Sequence, residues 1–156
     1  MYEDDEDPLV AAEQLARLDP RAGAEAFLAI ACDRGVDDGL RLEAAGQLPE
    51  LDRRAAAEAL RAVACDGGVD DGLRLEAAGQ LPEVDRRAAA EALRAVACDG
   101  GVDDGLRLEA AGQLPEVDQR AAAEALRAIA RDGNVDDGLR MEAAEQLASL
   151  DPRAAV

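Results

Sequence analysis

Apolar residues return every three or four positions along most of this chain, and the whole pattern then returns every 33. Residues 52–84 show one period. Ala56, Ala59, Leu60, Val63 and Ala64 fall on one side of a 3.6-residue turn, and Arg54, Glu58 and Arg61 fall on the other. The pattern predicts an amphipathic helix over 53–65, capped by Asp52 and ended by Gly67-Gly68. Arg54–Glu58 and Glu58–Arg61 are spaced to pair along its polar side. Cys65 falls towards that polar side, which predicts a partly exposed thiol. A second helix is predicted over 72–81, capped by Asp70 or Asp71 and stopped by Pro82. Its core side reads Leu73, Ala77, Ala78 and Leu81, with Leu75 on the flank. Glu76, Gly79 and Gln80 form the opposite stripe, and Arg74 stands near the apolar side, where it needs a carboxylate close by.

A fixed period of this length is the signature of a solenoid, in which each unit buries its apolar face on its neighbours. The expected fold is therefore all-α, and residues 1–156 form a single repeat domain. It would hold a leading cap helix at 8–18, four helical hairpins at 19–51, 52–84, 85–117 and 118–150, and a tail at 151–156. Asp19-Pro20 and Asp151-Pro152 stand where Asp52 stands, and proline just after the cap suits a helix start. Segments 33–65 and 66–98 differ only at Arg34/Gly67 and Leu51/Val84, which implies recent amplification or a consensus design. The end copies depart from the middle: Ala-Gly-Gln-Leu inside becomes Ala-Glu-Gln-Leu at Ala12 and Ala144. Such atypical units suit caps. Asp151-Pro152-Arg153 begins a further first helix, so the expectation is either a fragment of a longer array or a homodimer through the C-terminal face.

Charge narrows the partners. The net charge is −18, all 17 basic residues are arginine, and histidine is absent. A field of that sign repels phosphate backbones, so neither nucleic acid nor an anionic membrane surface is expected as partner. A basic protein or peptide fits better, although acidity also serves simply to keep an alanine-rich chain in solution. The acidic start, Met1 to Asp7, lacks the basic and apolar regions of a signal peptide, and no apolar run approaches the ~20 residues of a membrane span; a cytoplasmic location is expected. Cys32, Cys65 and Cys98 recur with the period, so they should lie about 10 Å apart in stacked helices. A disulfide needs Cα atoms within about 7 Å, and free thiols are expected.

The second helix and its start read Asp-x-x-Leu-Arg-x-x-Ala-Ala-x-x-Leu from Asp37, Asp70 and Asp103, and from Asp136 with Met141 inside the motif. This resembles the second helix of HEAT-like repeats of the short bacterial kind, and Asp-Pro/Arg-Arg-Ala-Ala-Ala-Glu-Ala-Leu resembles their first helix. The resemblance implies a right-handed α-α solenoid of 33-residue hairpins. It implies a structural ladder in which Asp37, Asp70, Asp103 and Asp136 pair with Arg41, Arg74, Arg107 and Arg140 of the same or adjacent units. It also implies that the second helices line a partner-binding face, here Glu43/Gln47, Glu76/Gln80, Glu109/Gln113 and Glu142/Gln146. Similar arrays stand behind NTPase modules in actinobacterial signalling proteins, which suggests the sensor arm of a larger signalling protein. This chain has no Gly-x-x-x-x-Gly-Lys loop of its own.

The remaining chemistry is thin. Asp66, Asp70 and Asp71 stand around glycines but lack the alternating ligands and closing glutamate of a calcium loop, and capping explains them better. Without histidine, the His-based triads and the usual zinc sites are out of reach. Ser149 is the only hydroxyl among serine and threonine, and Cys65 has only Arg61 nearby to activate it. No enzyme activity, metal or cofactor is expected. The expected function is a protein- or peptide-recognition scaffold; the alternative is a structural or self-associating module, natural or designed, without a specific ligand.

Overall fold

The computed structural model describes residues 7–150. The acidic stretch 1–6 and the tail 151–156, with its Asp151-Pro152 helix start, lie outside the described residues. The fold is all-α. Among the described residues nine α-helices follow one another: α1 (Pro8–Leu18), α2 (Pro20–Cys32), α3 (Asp38–Gln47), α4 (Arg53–Ala64), α5 (Asp71–Gln80), α6 (Arg86–Ala97), α7 (Asp104–Gln113), α8 (Gln119–Arg131) and α9 (Asp137–Leu150).

Aspartate starts these helices by occupying amides that have no partner in the first turn. Asp52 Oδ1 accepts from the N–H groups of Arg54 at 3.0 Å and Ala55 at 3.1 Å. Asp70 Oδ2 does the same for Gly72 and Leu73 at 3.1 and 3.3 Å, so Asp70 is the cap and Asp71 the first helical residue. The long helices end earlier than their glycines suggest: α4 stops at Ala64, and Asp66 Oδ1 then holds the turn by accepting from Gly68 N–H at 2.9 Å. At the other end, Pro82 does not stop the chain abruptly. It sits inside a tightened 3-10 turn, Leu81–Glu83, that continues from α5, and Pro115 does the same in Leu114–Glu116 after α7.

Among the described residues the main packing runs between near neighbours. Each helix from α1 to α8 packs on the next, and α2, α4, α6 and α8 also pack in a row, as do α3, α5, α7 and α9. The chain thus forms two layers of alternating helices with one continuous core between them. That core is built from leucine and alanine: Leu60, Leu81, Leu93, Leu114 and Leu126 are fully buried, and Ala56, Ala59, Ala77 and Ala78 let the helices approach. Val69, Val102 and Val135, which lie between helices in sequence, are buried with them.

The second helix is rotated from its expected setting. Leu75 is buried and Leu73 is only half-buried, the reverse of the expected order. Arg74, 4% exposed, is buried beside Leu75, so the buried face of the helix runs through 74 and 75 and leaves Leu73 at its edge.

Candidate functional site

Two sets of residues were singled out by sequence, the arginine ladder and the glutamate–glutamine stripe. The structure places both on the second-layer helices, facing different ways.

The arginines do form a ladder, but the capping aspartates are not its carboxylates. Asp37, Asp70, Asp103 and Asp136 spend their side chains on their own helix starts. Arg41 Nη1 instead donates to Asp66 at 3.0 Å, Arg74 to Asp99 at 3.0 Å, and Arg107 to Asp132 at 3.3 Å, each on the following hairpin. The Nε of each is used within its own hairpin: Arg41 donates to the Ala31 carbonyl at 2.9 Å, Arg74 to Ala64 and Arg107 to Ala97 at 3.0 Å. Each arginine therefore ties the end of one first-layer helix to the turn that ends the next one. Asp38 and Asp104 stand nearby at 3.7 and 3.4 Å from Arg41 and Arg107. The carboxyl groups of Asp66, Asp99 and Asp132 are held below the ordinary aspartate range, chiefly by the turn N–H of Gly68, Gly101 or Asn134 and then by the arginine. A further link joins the hairpins through backbone: Asp103 N–H donates to Asp71 Oδ2 at 3.2 Å.

The first layer carries a second set of cross-links. Arg61 Nη2 lies 2.9 Å from Glu91, and Arg94 lies 3.4 Å from Glu124. Arg53 and Arg86 donate to the carbonyls of Glu83 and Glu116 at the far end of their own hairpins. The expected pairing of Glu58 with Arg54 and Arg61 gives way to this arrangement, because Arg61 reaches forward to the next helix. The i,i+4 pairs do occur at Arg87–Glu91 and Arg120–Glu124, at 3.7 and 3.5 Å.

The stripe lies on the opposite side. Glu43, Glu76, Glu109 and Glu142 are all exposed; Gln47 is exposed, and Gln80, Gln113 and Gln146 are half-buried. Glu43, Gln47, Glu76 and Gln80 line a groove of about 400 Å³ between α3 and α5. Glu109, Gln113, Glu142 and Gln146 line one of about 470 Å³ between α7 and α9. Gln80, Gln113 and Gln146 lean over the mid-helix glycines of the second-layer helix before their own, with Gln113 Oε1 3.2 Å from where a Cβ on Gly79 would stand. Among the described residues none of the four stripe glutamates takes part in an ion pair, whereas Glu25, Glu91 and Glu124 of the first layer do.

A larger cavity, about 590 Å³, opens on the first-layer side, lined by Cys32, Arg34, Arg54, Glu58, Arg61 and Cys65 among others. The three cysteines are free and exposed. Burial of the thiol pushes Cys32 and Cys65 up from the ordinary range; Glu58 adds to this at Cys32, while Arg61 and Arg74 partly offset it at Cys65. Sequence reasoning did not bring Arg34 and the two cysteines together, since their shared cavity depends on how successive hairpins stack. Among the described residues, no group of three or more cysteine, aspartate or glutamate side chains is arranged to hold a metal ion, and no helix is long and apolar enough to cross a membrane. No protein-family model, curated protein or solved structure matches the chain.

Proposed function

We propose that the chain is a right-handed α-α solenoid of HEAT-like hairpins with no enzymatic activity, and that it recognises a basic segment of a protein or peptide along its second-layer face. The observation that carries this is the row of glutamates without ion pairs. Four carboxylates recur along one face at 33-residue intervals, and the same chain neutralises three first-layer glutamates with arginine. Grooves between successive helices set glutamine amides beside these carboxylates, ready to hydrogen-bond an extended backbone. A role as the sensor or scaffold arm of a signalling protein is consistent with such a face.

Binding of an arginine-rich peptide measured by fluorescence anisotropy tests the reading, with a parallel pull-down from lysate. The native chain should bind with an affinity that falls steeply with salt. Glu43→Arg, Glu76→Arg and Glu109→Arg together should abolish binding and leave the circular dichroism unchanged. Equal binding by both proteins would refute a recognition face. The second reading is a self-associating module, favoured by Met141 of α9, which is 66% exposed where equivalent leucines are buried.

A further inference from the structure

The hairpin at 19–51 differs from the two that follow it in one side chain that reaches across the unit. In the middle hairpins Arg53 and Arg86, the first residues of α4 and α6, donate to the carbonyls of Glu83 and Glu116. The residues at the same places in the hairpin at 19–51 are Pro20 and Glu50. Proline has no side-chain donor. Among the described residues no side chain donates to the Glu50 carbonyl.

A pocket of about 370 Å³ lies at this place, between the later turns of α1 and the segment that follows α3. Ala16, Phe27 and Leu51 give it an apolar floor. Leu51 is one of the two positions at which segments 33–65 and 66–98 differ. Glu13, Gln47 and Glu50 stand around the floor with the exposed Arg17, so two carboxylates face one guanidinium. Among the described residues neither Glu13 nor Glu50 takes part in an ion pair, although Glu25, Glu91 and Glu124 do. Gln47 also lines the groove that holds Glu43 and Glu76, so the pocket and the stripe are continuous.

We infer that this pocket takes an arginine of the partner, whose guanidinium donates to the Glu50 carbonyl and pairs with the carboxylates of Glu13 and Glu50 while its methylenes lie on Ala16 and Leu51. Arg53 and Arg86 are the precedent within the molecule, since each makes the same reach in its own hairpin. A planar guanidinium serves a carbonyl and a carboxylate together, whereas an ammonium is a point charge. Further basic residues of the partner then run past Gln47 to Glu43 and Glu76. On near-identical units, a partner held by the stripe alone can shift by one hairpin; the pocket beside Pro20 fixes its register. This deepens the recognition reading and rests on it.

Pro20→Arg in the full chain tests it, because the variant supplies the guanidinium from within. Arginine already starts α4 and α6, so α2 keeps its start. Two peptides are compared by fluorescence anisotropy, one of lysines only and one with a single arginine at its end. The native chain should bind the arginine peptide about tenfold more tightly. Pro20→Arg should remove that advantage, and Pro20→Ala, which leaves the pocket open, should keep it. The lysine peptide reports what the added charge alone does. No advantage in the native chain, an advantage that persists in Pro20→Arg, or one lost equally in Pro20→Ala would overturn the pocket and leave the acidic face standing. Binding of neither peptide would overturn the recognition reading, and ethylguanidinium then decides the pocket alone. Movement of the Leu51 methyl NMR signals in the native chain and not in Pro20→Arg would uphold it; unmoved signals would overturn it.

Discussion

The hairpin at 52–84 and the hairpin at 118–150 begin from nearly the same residues and end in different states. Arg74 is buried between the Ala64 carbonyl and Asp99, while Arg140 keeps its carbonyl and lies half in solvent. Leu75 and Ala78 are buried; Met141 and Ala144 are exposed. The local sequence is hardly responsible, since Leu-Arg-x-Glu-Ala-Ala occurs in both. What differs is whether the described residues place another hairpin against it. Much of each unit's burial, and the counter-charge for its arginine, comes from the neighbour, as expected where stability is a sum over nearest-neighbour interfaces.

Deleting a core side chain should sharpen the contrast most. Leu81→Ala, at a fully buried site with α6 packed around it, should cost about 3–5 kcal/mol. Leu147→Ala, at the equivalent place in α9 with 7% exposure, should cost nearer ~2 kcal/mol, since the end can relax around the cavity. Urea denaturation of both proteins checks this, and equal losses would mean that the end is packed as firmly as the middle.

Removing the ladder carboxylate comes next. Asp99→Ala strands a buried guanidinium and should cost about 2–3 kcal/mol, below the range for a fully buried pair because Asp99 is partly hydrated. Asp137→Ala beside Arg140 should leave the melting temperature unchanged, because Asp137 is fully exposed. The same carboxylates set the response to acid. Asp66, Asp99 and Asp132 titrate below their unfolded value near ~3.9, so their stabilisation is complete above that value. It is lost as pH falls through their lower folded values. Melting temperature followed from pH 6 to pH 2 should show a steep fall below ~4, shallower in Asp99→Asn.

The smallest effect has the opposite sign. Gly79→Ala should raise stability by about 0.5–1 kcal/mol, because the new Cβ meets only the movable end of Gln113 and helix propensity improves. The last hairpin already carries Glu145 at this position, and Glu145→Gly should lose a similar amount. A destabilised Gly79→Ala would show that the glutamine is fixed against the glycine and cannot swing aside.

Features governed by nearby residues were legible in the chain. Asp52 and Asp70 announce their helices through amides two and three positions on, and the buried alanines of α4 follow from a 3.6-residue period. Features governed by distant residues were not. Arg74 had a candidate carboxylate four positions before it, yet its partner stands 25 positions after it, because Asp70 is committed to its own cap. The exchange of Leu73 and Leu75 accompanies the burial of Arg74 between the Ala64 carbonyl and Asp99. The stripe glutamates were legible as an exposed row, since helical period alone separates them from the buried alanines.

Near-identity of successive units has a consequence for how the chain reaches this state. A neighbour offers the same docking surface whichever copy it is, and segments 33–65 and 66–98 differ at two positions, Arg34/Gly67 and Leu51/Val84. A chain that stacks the third hairpin on the first, looping out the second, satisfies nearly every local contact. Such skipped stacks forfeit an interface but satisfy each contact they keep, so a chain caught in one must undock before it can complete the array, and they are expected as kinetic traps. The departures from the repeat, Pro8 in place of arginine and Met141 in place of leucine, then serve as register marks, distinguishing the units that carry them from the near-identical ones between.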